Sequence, residues 1–348
     1  MTPKLHILLV GPAPVNIGGV SMHLARLMAL LNDDCQFDFI DEGRKRHAGY
    51  FNLRSLNLWH YFRSLMRADL IHLHSGPMIL RAFHIIVARL LLRRRVVVTV
   101  HHDIHVERHQ AVTRWLLARC NGVITVNQPS HDYLSQPSTQ YLMQPAFLPP
   151  VVDSEPALPQ AVTQWLSDAR AHAGATIMVG NASFLSLVDG VDLYGLDMCL
   201  KLMHRLLLEE KRDNYYLVFI LGDSTRNVER LEQYRQQLAA LDNHFLLWEG
   251  TLSFVRLAQA ADMVVRPTTT DGDALTVREA LYLNRRVVAS DAVPRPQGTI
   301  TFTTRDDDDF YRAVTTARST SAAAATAPAV DYRALYLNFY RKALGLNS

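Results

Sequence analysis

Short apolar runs alternating with stretches of helical periodicity constrain this chain more than any other feature. In the first half the runs are Lys4–Val10, Phe37–Asp41, ADLIHLHSG at 68–76, VVVTV at 96–100 and GVITVN at 122–127. In the second half they are Ala175–Gly180, Tyr216–Leu221, His244–Trp248, Val264–Val265 and VVAS at 287–290. Near-continuous apolar runs of this length are strands buried on both faces, as parallel sheets require. Strand–helix alternation in both halves therefore predicts an α/β chain of two doubly wound, Rossmann-like domains. The length of 348 residues agrees with two domains. Residues 144–160 hold five prolines and read as the linker between domains 1–150 and 151–330.

Charge is uneven along the chain. Residues 1–150 carry 16 Lys+Arg against 9 Asp+Glu, whereas 151–348 carry 20 against 24. A basic first half could face an anionic membrane or a phosphate-bearing acceptor, and scattered solvated arginines account for it equally well. Nothing in the sequence points to nucleic acid. Three widely spaced cysteines, Cys35, Cys120 and Cys199, predict no disulfide framework and a reducing compartment. LHILLV reads as the first strand rather than a signal peptide. The apolar stretch 79–92 is interrupted by Arg81, His84 and Arg89 and is too short to span a bilayer. The expectation is a cytoplasmic protein, with the inner face of the membrane as its place if the basic half docks.

The densest chemistry lies at 264–290, VVRPTTTDGDALTVREALYLNRRVVAS. It reads as strand, polar loop, helix, strand. Asp271 sits in the loop and Glu279 on the helix eight residues later, with Arg266 and Arg278 close by. Free amides at the helix start, around Asp273, Ala274 and Leu275, would form an anion site. Near the N-terminus, Gly18-Gly19 precede a helix expected from about Ser21 and allow backbone to approach a ligand. His72 and His74 share one strand face and read as a packed core pair. His101, His102, Asp103, His105, Glu107 and His109 crowd a strand exit. That cluster has spacings a metal could use, yet no cysteine joins it, and no metal or other cofactor is expected. Residues 43–57 read as a solvated basic connection.

The segment DGDALTVREA resembles the acid-x7-acid segment of retaining glycosyltransferases of the GT-B fold, family 4, whose usual form is EGFGL…EA. Other segments resemble the same family: the GGV loop at 18–20, ADLIHLHSG beside ADVVHAH, His101 beside the histidine of T-x-H, and EGTLSFVRLAQAADMVVRP beside GxVsxxEL…ADV…LPS. The resemblance implies two Rossmann-like domains facing each other across a cleft, with a last helix, 331–348, crossing back to the first domain. It implies transfer of a sugar from a nucleotide diphosphate donor to a saccharide or lipid-linked acceptor, as in surface polysaccharide or glycolipid synthesis. Glu279 would bond the ribose hydroxyls and Asp271 the donor sugar. The amides of Asp273 to Leu275 would hold the diphosphate, His101 would line the sugar pocket, and Asp103 would be an acceptor-side base or orienting acid.

One departure matters. The family usually has an Arg just after the strand glycine and a Lys before a second glycine, and both neutralise the diphosphate. Here those positions are Asn181 and Tyr194. Arg266 and Arg278 are expected to replace them, with Arg295 in the PRPQG loop a third candidate, because a departing diphosphate needs compensating charge. The other reading of Arg266 and Arg278 is that they only pair with Asp271, Asp273 or Glu279 to hold the loop. The alternatives are a non-catalytic GT-B scaffold of a polysaccharide-assembly complex and a sugar-nucleotide epimerase.

Overall fold

A computed structural model describes residues 4–15, 18–136, 139–271, 274–319 and 330–346. The chain divides into two compact units, one formed by Met1–Leu148 with Pro328–Ser348, the other by Pro149–Ala327.

In the first unit seven parallel strands form one sheet: β1 (Leu5–Gly11), β2 (Cys35–Asp41), β3 (Phe51–Asn52), β4 (Leu70–Leu73), β5 (Val96–Val100), β6 (Gly122–Thr125) and β7 (Gln140–Met143). Their spatial order is β3-β2-β1-β4-β5-β6-β7. The sequence direction reverses between β1 and β4, the switch point at which open α/β sheets bind ligands. Helices α1 (Gly19–Leu31), α2 (Leu58–Arg67), α3 (Met78–His84, continued by π-helical turns Ile85–Leu91), α4 (Gln110–Leu117) and α5 (Gln128–Leu134) connect the strands. Two apolar clusters, one on Leu8, Ile71 and Val98, the other on Ile7, Leu9 and Val97, cover the sheet's two faces. That is why its strands are apolar without alternation. Within the basic stretch 43–57, β3 forms because buried Asn52 donates to Asp41 Oδ2 at 2.8 Å and to the Gly43 carbonyl at 3.0 Å.

The second unit holds α6 (Gln160–Ala171), β8 (Thr176–Phe184), a small antiparallel hairpin β9 (Leu187–Val188) and β10 (Val191–Asp192), α7 (Leu196–His204), β11 (Tyr215–Asp223), α8 (Val228–Leu238), β12 (Phe245–Glu249), α9 (Phe254–Ala260), β13 (Met263–Arg266), α10 (Leu275–Tyr282), β14 (Arg286–Ser290), β15 (Thr299–Phe302) and α11 (Asp307–Ser319). Its six parallel strands run β12-β11-β8-β13-β14-β15. Direction reverses between β8 and β13, whose register pairs Met178 with Met263 and Val179 with Val264. That register brings Asn181, three residues past Met178, to the level of Arg266 at the end of β13.

The last helix, α12 (Tyr332–Leu344), belongs to the first unit. Tyr336, Phe339 and Tyr340 bury against its sheet, and Arg333 grips Asp34 at 2.7 and 2.8 Å. Gly122 makes room for this helix, since a Cβ there would lie 2.8 Å from the Phe339 ring. No helix among the described residues is long and apolar enough to cross a membrane.

Candidate active site

At the switch point of the second unit, β13 delivers Arg266 from its last position and the following loop returns Asp271 to meet it. Arg266 Nε donates to Asp271 Oδ2 at 3.0 Å and Nη2 donates to Oδ1 at 3.2 Å. A second guanidinium comes from beyond β14: Arg295 Nη1 donates to Asp271 Oδ2 at 2.9 Å. Arg295 also donates to the Ser290 carbonyl at 2.9 Å and to Thr268 Oγ1 at 3.2 Å. These side chains are buried, with Arg266 and Asp271 9% and 8% exposed and Arg295 only 3%. Burial pushes the Asp271 carboxyl upward, but the Arg266 and Arg295 guanidiniums outweigh it and hold the group below the ordinary carboxylate value. Among the described residues, two cations share this one anion.

Asn181 and Tyr194, the two positions without the expected cations, both contact Arg266. Its Nη1 donates to the Asn181 carbonyl at 3.1 Å and to Asn181 Oδ1 at 3.3 Å. Its guanidinium carbon lies 5.3 Å from the centre of the Tyr194 ring, within cation–π range. Tyr194 is fixed from behind: buried Asp192 accepts from the amides of Tyr194, Gly195 and Leu196 at 2.9, 3.2 and 3.1 Å. Gly195 adopts φ +75°, and a Cβ there would stand 2.1 Å from the Pro267 carbonyl oxygen. Only glycine permits the turn before α7 to lie so close to the loop that carries Asp271.

Ala274 caps α10 and offers no side-chain acceptor, and Leu275 is the helix's first residue. Arg278 is half-buried on this helix and Glu279 is buried. Asp273 lies outside the described residues.

In the first unit, Gly18 and Gly19 open α1 and are exposed, and a Cβ on Gly18 would meet nothing within 4 Å. The helix begins two residues earlier than the sequence placed it. His101 leaves β5 half-buried, and His74 leaves β4 fully buried. They are hydrogen-bonded, His74 Nδ1 to His101 Nε2 at 2.8 Å. Buried His23 of α1 packs its ring edge-on to His101 with centres 5.1 Å apart. Burial drives His23 down to about 4, against the hydrogen bond to Ala146 that raises it, and holds His72, His74 and His101 well below the ordinary imidazole value. These rings are neutral at physiological pH. His72 is a core residue, bonded to Tyr340 Oη and Thr99 Oγ1 at 2.8 Å each. Asp103 is half-buried, and its carboxylate accepts from the His105 amide at 3.0 Å. His102 bonds Glu107 at 2.6 Å.

The structure thus joins Arg266, Asp271, Asn181 and Tyr194 into one cluster and places Ala274, Leu275, Arg278 and Glu279 together on α10. Sequence reasoning missed Thr268, Ser290 and His23. Thr268 and Ser290 lie at or just past the C-terminal ends of neighbouring strands, where such sheets gather polar groups, and that position was the available signal.

No protein-family model matches the chain, and no curated protein matches it. Solved structures do. A glycosyltransferase from Rickettsia africae superposes with a TM-score of 0.66 at 13% identity, over 98% of this chain and 96% of that one. Anabaena HepE in complex with UDP-glucose matches with a TM-score of 0.63 at 16% identity, over 92% and 93%. Sucrose-phosphate synthase from Thermosynechococcus elongatus matches with a TM-score of 0.64 at 14% identity, over 99% and 95%. The fold is GT-B. Coverage near the full length of both partners means that both sheets of the GT-B fold, not one Rossmann-like unit alone, are shared. Identities this low establish the GT-B architecture and leave the chemistry to the residues themselves.

Proposed function

We propose that the chain is a retaining glycosyltransferase that takes a nucleotide diphosphate sugar as donor. The observation that carries this reading is the position of Arg266. Its guanidinium lies against both residues that stand where the family's phosphate-neutralising cations would be, at the switch point of the donor-side sheet. With Arg295 it sets two guanidiniums in a buried setting, and a leaving diphosphate needs such charge.

In this reading the start of α10 binds the diphosphate through the amides of Asp273, Ala274 and Leu275, and Glu279 takes the ribose hydroxyls. Asp271 orients both guanidiniums and accepts from a donor-sugar hydroxyl. Arg278 contributes a further charge beside Glu279. His101, kept neutral by burial, accepts or donates a hydrogen bond at the sugar, and Asp103 serves the acceptor hydroxyl. Gly18 and Gly19 leave backbone amides accessible at the start of α1. Complexes of HepE with UDP-glucose make UDP-sugars the first donors to test.

We further propose a saccharide or lipid-linked acceptor met at an anionic membrane face. On α2 the side chains of Leu58, Trp59, Phe62 and Met66 are exposed, Trp59 by 75%. Beside it Ile79, Phe83, Ile86 and Leu90 form a second exposed stripe at helical spacing. The helices meet where Tyr61 stacks on Phe83, with ring centres 5.8 Å apart. Exposed Arg54, Arg63, Arg67, Arg93 and Arg95 lie on or beside these two elements. An apolar face with arginines around it suits insertion among anionic headgroups.

The test is a thermal-shift panel with UDP, GDP, ADP, CDP and their hexose derivatives. A ligand at about 100 times its Kd adds about 2.7 kcal/mol of stability. The expected result is stabilisation by one nucleotide class, lost in Arg266→Ala, and sugar transfer from that donor. Silence across the panel at millimolar ligand would favour a non-catalytic scaffold, the reading that the uncharged Asn181 and Tyr194 support. Donor turnover with no acceptor present would favour an epimerase.

A further inference from the structure

We infer that His23, His74 and His101 form a binding site for a divalent transition metal, of which zinc is the type. One ring nitrogen from each lies within 4.8 Å of the other two. The three residues come from α1, the exit of β4 and the exit of β5, so tertiary packing alone assembles them.

One orphaned nitrogen points to a ligand. His23 is 1% exposed, and its Nε2 lacks a hydrogen-bond partner among the described residues. A buried polar nitrogen left unpaired costs stability, so a protein that keeps one beside two further imidazoles has a use for it. For His23 the tautomer follows from geometry. Its Nδ1 donates to the Ala146 carbonyl at 2.7 Å, so Nε2 carries the lone pair. A histidine held through one nitrogen by a backbone carbonyl and offering the other is the usual arrangement of a metal ligand.

The donor set decides the class of ion. Three imidazoles without a carboxylate suit zinc, nickel or copper and do not suit magnesium or calcium. Nitrogens around a zinc ion stand about 3.4 Å apart, given bonds of about 2.1 Å. The 2.8 Å hydrogen bond between His74 and His101 would therefore open slightly, and the wider gaps would close, by small ring rotations. Each ring stays neutral and keeps its one proton on its other nitrogen. His101 is half-buried, so the fourth position could be taken by water. The site shares His101 with the glycosyl-transfer reading, and its test is metal binding, which is read out apart from sugar transfer.

The experiment is zinc titration of the chelator-stripped full-length protein against a chromogenic chelator, with melting followed in parallel. Cobalt substitution reports the geometry. One equivalent should bind, raise the melting temperature and, as cobalt, give the intense visible absorption of a four-coordinate site. His23→Gln should weaken binding by at least about 100-fold while His105→Gln leaves it unchanged. Weak pale cobalt spectra, binding undiminished in a folded His23→Gln variant, or no binding to the wild-type protein would each overturn the site. The wild-type cobalt spectrum decides the matter even if His23→Gln does not fold.

Discussion

Arg266 and Asp271, five residues apart on one strand exit, meet fork to carboxylate through bonds of 3.0 and 3.2 Å, both side chains more than nine-tenths buried. Such a pair is costly to break from either side. Asp271→Ala would leave two buried guanidiniums facing each other and should cost about 3–5 kcal/mol of unfolding free energy. Arg266→Lys keeps the charge but loses the fork, so it should be milder than Arg266→Ala. Urea unfolding of the three variants measures this. Equal, small losses in all of them would mean the cluster does not hold the loop.

The same pair bears on turnover. If Arg266 neutralises the diphosphate, Arg266→Ala should lower sugar transfer about 100- to 1000-fold. Glu279→Ala should raise the donor KM with a smaller effect on kcat, because ribose contacts are alike in ground and transition states. Steady-state kinetics with the donor identified by thermal shift separates the two. An Arg266→Ala enzyme of full activity would remove the replaced-cation argument.

Gly195 sets the approach of α7 to the Pro267–Asp271 loop. Gly195→Ala must either move the Pro267 carbonyl or abandon φ +75°. The expected loss is on the order of 2 kcal/mol, with weakened nucleotide stabilisation because Tyr194 moves too. Denaturation with and without nucleotide checks both.

Glu107 supplies a pH dependence. Burial raises its pKa, but the hydrogen bonds of His102 and Thr113 and the ion pair with Arg81 lower it from 4.5 to about 2. A carboxyl depressed in the folded state stabilises fully above its unfolded value and loses that contribution as pH falls through the folded one. Stability should therefore drop between about pH 4.5 and 2, and Glu107→Gln should flatten the curve there. Urea midpoints measured across that range give the slope. An unchanged slope in the variant would assign the acid sensitivity to other groups.

The exposed face of α2 makes a further prediction. Trp59→Ser with Phe62→Ser should reduce sedimentation with phosphatidylglycerol vesicles at least about 10-fold, since each aromatic removes about 1.5–3 kcal/mol of apolar burial. Binding to neutral vesicles should be weaker, and salt should lower binding to anionic ones. Equal binding of wild type and variant would show that this face does not insert.

Much of the architecture was legible in the chain. The parallel strands are apolar throughout because both of their faces are covered, and that signal needs no partner residues to be known. Val264 to Ser290 announced strand, loop, helix and strand because turn-forming residues and helical periodicity are local properties. The charge partners were less legible. Arg266 and Arg278 looked equivalent by spacing; that Arg266 is tied to Asp271, Asn181 and Tyr194 follows from its place at the end of a strand beside β8. Arg295 sits 24 residues from Asp271 and reaches it only because β14 lies next to β13.

The sequence by itself determined the two sheets, the loop that carries Asp271 and the absence of charge at Asn181 and Tyr194. Periodicity, turn chemistry and residue type are enough for those, since each acts over a few neighbouring residues. Only the tertiary structure decided which cation stands beside those two positions and that His23 joins His74 and His101. Strand order sets such meetings, and strand order follows from how whole helices cover the faces of a sheet rather than from any short stretch of chain.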